Sequence, residues 1–373
     1  RKIQIEDRQE TRLSRRLFSR RWLLIVGLLS IVLLLISCTP SHPQSTFDSA
    51  GPVSKSQLNL FWVIFWASLA VFIVVIGILL YSVVRFRERP GQGMPVQVHG
   101  NRNLEIAWTV APALLLTAIA VMTIRTIFDL NTPDSDNPLE IEVIAHQWWF
   151  EAVYPEFNIT TANEINVPVG RDVSFKLDSD DVVHSFWVPK LSGKMDIIPN
   201  KTNTLWFRAD EPGVFFGQCA EFCGIAHALM KFRVIAKPQE EFDQWVAGQQ
   251  AVAATPTGQA AEGALVFNSK GCIVCHTITG PDTVAVRESR KQAFLDGNAL
   301  THAPNLTHFA SRTSFAGSIM ESTEENLKEW LRDPEEVKPG NRMARLAGAF
   351  NDPTMALTES DISALVAYLR SLE

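Results

Sequence analysis

The stretch "GQCAEFCGIAHALM", residues 217 to 230, places two thiols, an imidazole and a thioether close together, at Cys219, Cys223, His227 and Met230. The chain has 373 residues and only 5 cysteines. In an oxidising compartment a close thiol pair ordinarily reads as a disulfide. That reading accounts for Cys219 and Cys223 but gives His227 and Met230 no role. Zinc accepts two Cys and two His, yet it usually takes a second tight ligand pair, and a thioether suits it poorly. Copper accommodates thiolate, imidazole and thioether together, with the thioether as a weak tuning ligand. A single blue-copper ion needs one thiolate. Two thiolates on one loop can instead bridge two copper ions, each completed by an imidazole, and this requires a second histidine from elsewhere. Of the remaining histidines only His146 and His184 fall in the β-rich region described below. His184, in "DDVVHSFWVP", is placed at a strand end ahead of a proline, where a side chain can project into a site built by loops.

A second constellation is "GCIVCH", with Cys272, Cys275 and His276. C-x-x-C-H is the covalent attachment pattern of a c-type haem, with two thioethers to the porphyrin and an adjacent imidazole on the iron. A redox thiol pair or half of a zinc site are the plainer alternatives.

The elements that must position these groups are legible from patterning. Between "LEIEVIAHQWWFEAVYP" and "HALMKFRVIAK", short apolar-alternating runs rich in Val, Ile, Phe and Trp are separated by Asn, Asp, Pro and Gly clusters. Such spacing predicts a small antiparallel sandwich or barrel over residues 138–238. Residues 239–258 read as a linker, since the stretch 247–263 is poor in large apolar residues and rich in Ala, Gly and Thr. Residues 259–373 read as a small all-α module. A first helix lies near "AAEGALVFNSK", a second follows Ser322 and Thr323 in "EENLKEWLRDP", and a third opens with a capping box at Thr358 and Asp361.

The formal net charge is -6, but residues 1–57 carry nine Lys/Arg against four Asp/Glu. A basic start ahead of an apolar run follows the logic of membrane insertion and has nothing of a nucleic-acid footprint. The run Trp22 to Ile36 is short for a membrane span and suits an export signal or N-terminal anchor over residues 1–37. It ends in "LISC", which resembles a bacterial lipoprotein box whose Cys38 would be lipidated after cleavage. Two longer segments, 58–84 and 104–128, read as a transmembrane hairpin. The loop between them carries Arg85, Arg87, Arg89 and Arg102 against Glu88, so it faces the cytoplasm and everything beyond residue 129 is exported.

Together "HSFWVP", "GQCAEFCGIAHALM", "AHQWW" and the two apolar segments resemble subunit II of a haem–copper cytochrome c oxidase over residues 58–237. The resemblance implies a cupredoxin-like β-sandwich carrying a dinuclear CuA centre. Its two copper ions would be held by His184, Cys219, the backbone carbonyl of Glu221, Cys223, His227 and Met230. It further implies that the Glu221 side chain ligates magnesium at the boundary with subunit I, and that electrons enter at Trp148, the first Trp of "HQWWF". Trp149 and Phe150 stand where the family often has Tyr then Trp. By position alone Glu105, in "LEIAWTVAP", is an ordinary interfacial charge; the resemblance puts it at the mouth of a proton-intake channel. Quinol-oxidising relatives lack the two cysteines, which favours cytochrome c as donor.

The C-terminal module is similar to class I cytochromes c through "GCIVCH", "APNLTH" and "KPGNRM", residues 281–302 standing out as an extra charged insertion. The resemblance makes Met343 the sixth iron ligand, with Met320 and Met355 as rivals. The implied protein is a membrane-bound oxidase subunit with a fused cytochrome domain, in the bacterial cytoplasmic membrane with both soluble domains outside. Electrons from a quinol:cytochrome c reductase or a soluble cytochrome c would pass from haem c to CuA and on to subunit I, beside a subunit III. There O₂ would be reduced to water with proton pumping. Neither transmembrane segment contains a histidine, so no oxygen-reducing haem or copper can be ligated between them. An electron-transfer subunit of another reductase, such as a nitric oxide reductase, is the alternative. A copper chaperone has no use for the helix pair with Glu105 or for Trp148.

Overall fold

Two long helices lead into the fold. Helix α1 (Pro52–Arg85) starts with proline in its first turn, where the missing N–H costs nothing, and α2 (Arg102–Asp129) is capped by Asn101. The computed structural model describes residues 42–88, 100–278 and 303–373, together with isolated positions among residues 22–32 and 91–97 and Gln292. The lipoprotein motif at Cys38 and the 281–302 insertion, Gln292 apart, lie outside the described residues.

Both helices are long and apolar enough to cross a membrane, and their apolar side chains are exposed along the length of each. A face that is apolar all round must be covered by lipid or by other helices. Phe61, Trp62, Phe65 and Trp66 form a ladder of ring contacts near the start of α1, suited to a membrane–water boundary. At that end the hairpin is stitched to the soluble part. Ser54 Oγ donates to Lys190 O at 2.7 Å, the Asp210 amide to Ala50 O at 3.0 Å, and Trp206 Nε1 to Leu130 O at 2.9 Å.

The β module comprises β1 (Leu139–His146), β2 (Trp149–Tyr154), β3 (Ile159–Ala162), β4 (Glu164–Pro168), β5 (Val173–Ser179), β6 (His184–Trp187), β7 (Met195–Ile197), β8 (Asn203–Phe207), β9 (Gly213–Cys219) and β10 (Lys231–Lys237). They form two five-stranded sheets, ordered β3-β2-β1-β5-β8 and β4-β10-β9-β6-β7. The antiparallel expectation needs correction, since β1 runs parallel to β5 and β10 parallel to β4. Strand alternation reports which face a residue occupies, not the direction of its neighbour. Between the sheets lies an aromatic core in which Phe186 stacks on Phe232 at 4.4 Å between centroids, with Phe150 edge-on to Phe232 at 4.8 Å. Gly217 on β9 faces that ring, and a Cβ there would collide with it.

Residues 239–250, expected within a linker, form helix α3 (Gln239–Gln250) against the sandwich. Phe242, Trp245 and Val246 recur at helical spacing, with Phe242 fully buried and Trp245 against Tyr154 at 5.2 Å. Residues 252–257 have no regular structure and lead into the α module. There α4 (Gln259–Ser269) crosses the C-terminal α9 (Glu359–Leu369) at Gly263, where a side chain would strike the Ala364 carbonyl. A short hairpin, β11 (Ser314–Phe315) with β12 (Met320–Glu321), is followed by α5 (Glu324–Arg332), α6 (Pro334–Val337), α7 (Arg342–Leu346) and α8 (Gly348–Asn351). Thr323 caps α5, and α9 carries the expected Thr358–Asp361 capping box.

Phe186 is fully buried between the sheets. Phe186→Ala is expected to lower the unfolding free energy of the β module by about 3–5 kcal/mol, measured by chemical denaturation.

Candidate redox centres

Strand register assembles the first site. On the paired strands β6 and β9, Phe186 lies opposite Cys219, which brings His184, two residues earlier, to the end of β9. The chain then loops out and returns, and the Cys219 amide closes the loop by donating to Met230 O at 2.9 Å. Within it the two sulfurs lie 3.8 Å apart and both thiols are free and buried. A disulfide needs about 2.05 Å, so these sulfurs converge without being joined.

The other donors surround them. His184 Nδ1 is 3.9 Å from Cys219 Sγ, His227 Nδ1 is 3.6 Å from Cys223 Sγ, and Met230 Sδ is 3.8 Å from Cys223 Sγ. Cys219 Sγ also approaches the Glu221 carbonyl at 3.2 Å. Among the described residues, His184, Cys219 and Cys223 form the one buried His/Cys/Asp/Glu group placed to hold a metal ion. His146 is turned elsewhere, 3.3 Å from Glu151 and 3.6 Å from Asp180, stacked on Trp149. The Glu221 side chain points outward, 4.0 Å from Lys194 Nζ.

Asp181 organises this corner, a role that spacing alone did not expose, although "DDVVH" offered a carboxylate three residues before His184. It lies 2.8 Å from His184 Nε2 and accepts from the Gln147 amide at 2.7 Å. Burial works against the His184 imidazolium, but the bonds to Asp181 and Cys219 outweigh it and hold its pKa above the ordinary value. Burial likewise works against the Asp181 carboxylate, and its bonds to His184, Val182 and Gln147 hold the pKa below the ordinary value. The contact between the two sulfurs holds the Cys219 pKa below its ordinary value and pushes that of Cys223 above it. A thiol inclined to ionise beside an ordered imidazole suits a soft cation.

The second site is a cavity of about 180 Å³ in the α module, lined by Cys272, Cys275, His276 and Met343 together with apolar side chains such as Phe267 and Leu365. Met320 and Met355 do not line it. His276 Nδ1 donates to Pro304 O at 2.8 Å, which selects the tautomer with its lone pair on Nε2. Two free cysteines, an oriented imidazole and an apolar slot fit a covalently bound porphyrin.

Trp148 joins the two sites. Its side chain is only 7% exposed and lines the cavity, while its Nε1 donates to Cys223 O at 3.1 Å. Gln147 Nε2 donates to the same carbonyl at 2.7 Å. Glu105 lies apart from both sites, exposed in the first turn of α2.

A membrane-anchored redox protein that joins a cupredoxin-like sandwich to a c-type cytochrome is the class these features define. Residues 40–126 match the cytochrome c oxidase subunit II transmembrane domain, 157–237 its periplasmic domain, and 260–373 cytochrome c. Cytochrome c oxidase subunit 2 of Alkalihalophilus pseudofirmus is 39% identical over 92% of this chain and 95% of its own. The Bacillus subtilis protein of that name is 36% identical over 95% and 98%, and that of Bacillus sp. strain PS3 is 41% identical over 77% and 80%. The chain belongs to the cytochrome c oxidase subunit II family. It is thus part of an oxidoreductase whose oxygen-reducing site lies in subunit I.

The paired shifts set a pH window. The His184 contribution to stability is complete below its ordinary pKa of 6.5 and is lost as pH rises through the higher folded value. The Asp181 contribution is present above 3.8 and is lost as pH falls through the lower folded value. The metal-free β module is therefore expected to weaken as pH rises past 6.5. Asp181→Asn should weaken that dependence, leaving the part due to Cys219, and cost about 1.5–3 kcal/mol at lower pH, read by denaturation across a pH series.

Proposed function

We propose that this chain is the electron-accepting subunit of a proton-translocating cytochrome c oxidase, taking electrons at a haem c and handing them through a CuA centre to subunit I. The haem and the copper pair supply one-electron redox chemistry when bound. Everything else is done by the chain. Cys272 and Cys275 would tether the haem, with His276 and Met343 as its axial ligands. His184, Cys219, the Glu221 carbonyl, Cys223, His227 and Met230 would hold the two coppers. In that role the Asp181 bond orients His184 before metal arrives, so little reorganisation is left for binding.

The observation that carries the reading is the placement of Trp148. One indole lines the haem-type cavity and hydrogen-bonds the backbone of a thiol-bearing loop residue, which supports its role as the point where electrons enter the copper domain. Loss of the aromatic ring interrupts that bridge. The Glu221 carboxylate, exposed beside the loop, is the candidate magnesium ligand at the subunit I boundary. Glu105, in the first turn of α2, is the candidate for the mouth of a proton path. The exposed apolar faces of α1 and α2 suit packing against subunit I, with subunit III as a further partner. In this reading the membrane is the bacterial cytoplasmic membrane, the soluble domains stand outside the cytoplasm, and Cys38 carries lipid after removal of residues 1–37. The donor is a soluble cytochrome c or a quinol:cytochrome c reductase.

Metal analysis and EPR of the purified chain provide the test. Two coppers per haem iron and a mixed-valence copper signal are expected, with Cys219→Ser losing that signal and keeping the haem. One copper, or zinc, removes the copper assignment. Trp148→Leu is expected to slow electron transfer from haem to copper at least about tenfold, about 1.4 kcal/mol in the barrier, with both optical spectra unchanged. Oxygen reduction is expected only in complex with subunit I, and the isolated chain reducing O₂ would contradict the assignment.

A further inference from the structure

The turn of the β11–β12 hairpin contains three successive residues in left-handed conformations, Ala316, Gly317 and Ser318, with φ of 56°, 81° and 55°. Such a conformation costs a non-glycine residue about 1–2 kcal/mol, so its surroundings must hold it. Those surroundings belong to the other module. Gly317 O accepts from the Lys231 amide at 3.1 Å, and Ser318 Oγ donates to Asn163 O at 3.3 Å. Beside the turn, the buried Glu164 carboxylate accepts from the Thr313 amide at 3.1 Å, from Thr313 Oγ1 at 2.6 Å and from Ser314 Oγ at 2.7 Å. Arg233 reaches across to Glu321 and Thr313.

Lys338 closes the other side. Its side chain is buried, and Nζ donates to Trp148 O at 2.7 Å and to Ala316 O at 3.0 Å. Gly317 packs so tightly here that a Cβ would strike Lys338 Nζ and approach Leu229 O and Trp148 O at 3.1 and 3.4 Å. Burial pushes the Lys338 amine down to about 7, the mark of a cation removed from water. Such a cost is tolerated where hydrogen bonds replace the lost solvation, and one of the two carbonyls that do so lies in the other module. With the modules apart, Lys338 loses the Trp148 bond and Trp148 loses its cover.

We propose that Lys338 and the Thr313–Ser318 segment form a clamp that seats the cytochrome module on Trp148 in one pose and closes that indole to any separate protein. Lys338 acts as a positioning residue, and the proposal rests on the reading of Trp148 as the point where electrons reach the copper domain. Tethering alone raises the local concentration of one module at the other. The clamp adds a defined contact, so an outside donor meets the cytochrome module and not the copper domain.

Hydroxyl-radical footprinting and amide exchange, both read by mass spectrometry on the full chain carrying haem and copper, test this. Trp148 is expected to oxidise far more slowly than free N-acetyltryptophanamide. Lys338→Met should raise Trp148 oxidation and the exchange of the Lys231 and Thr313 amides about tenfold, as expected for loss of one charge-assisted bond. It should also slow and broaden haem-to-copper electron transfer while both spectra stay unchanged. Glu164→Gln should act in the same direction and decides the matter if Lys338→Met loses its haem. Wild-type protection of Trp148 and both amides in the variants would overturn the clamp, as would free oxidation of Trp148 in the wild type. Absence of copper or haem from the wild-type chain would remove the functional reading instead, and footprinting, which needs neither, would still judge the clamp.

Discussion

The pairing of β6 with β9, Phe186 opposite Cys219, is the constraint on which the rest depends. It is pinned from inside, because Phe186 packs between the sheets against Phe232 and Phe150. A slip by one residue would turn Phe186 into solvent and swing His184 away from the thiols. The aromatic core therefore also sets the placement of His184 against the two thiols. Gly217 belongs to the same arrangement, since only a residue without Cβ lets β9 lie over the Phe232 ring.

Around that register the electrostatics are graded. Asp181 sits where three demands meet: it partners His184, accepts from the Gln147 amide, and receives Arg342 from the α module at 3.3 Å. The backbone next to Trp148, the orientation of an imidazole and the contact between modules thus share one carboxylate. A carboxylate largely withdrawn from water is sustained only when its oxygens are occupied, and here each partner has a reason to be present. The buried thiol pair lies nearby, with Cys219 the more readily ionised of the two.

The two soluble modules are less independent than their boundaries in sequence imply. Residues 252–257 connect them, but the contact is made by polar groups from distant parts of the chain, the buried Glu164 with Thr313 and the buried Lys338 with Trp148 O. Polar contacts of this kind are more specific than an apolar patch, because a shifted pose strands charges. Below, the hydrogen bonds from Ser54 and Trp206 orient the sandwich on its helix hairpin. The order from membrane to cytochrome is then mechanical, with each part held by hydrogen bonds to the next.

Much of this was legible in the chain, because the signals are local. The spacing of Cys219, Cys223, His227 and Met230, the C-x-x-C-H run, the two apolar segments and the Thr358 capping box each lie within a few residues, or one element, of themselves. Composition was the weaker guide: α3 was hidden in a stretch read as linker because Phe242, Trp245 and Val246 are few, although their spacing is helical. Strand direction was also invisible, since alternation does not encode it. Long-range register alone decided that His184 faces the thiols while His146 turns to Glu151 and Asp180. Packing alone placed Met343, and neither Met320 nor Met355, on the wall of the cavity that Cys272, Cys275 and His276 share. By itself the sequence determined which atoms are available for redox chemistry and on which side of a membrane they stand, because ligand type, short spacing and charge asymmetry are one-dimensional. Only the tertiary structure decided that Trp148 lies between the two sites and that Lys338 is buried against it, because both depend on surfaces about 190 residues apart in the chain closing over one another.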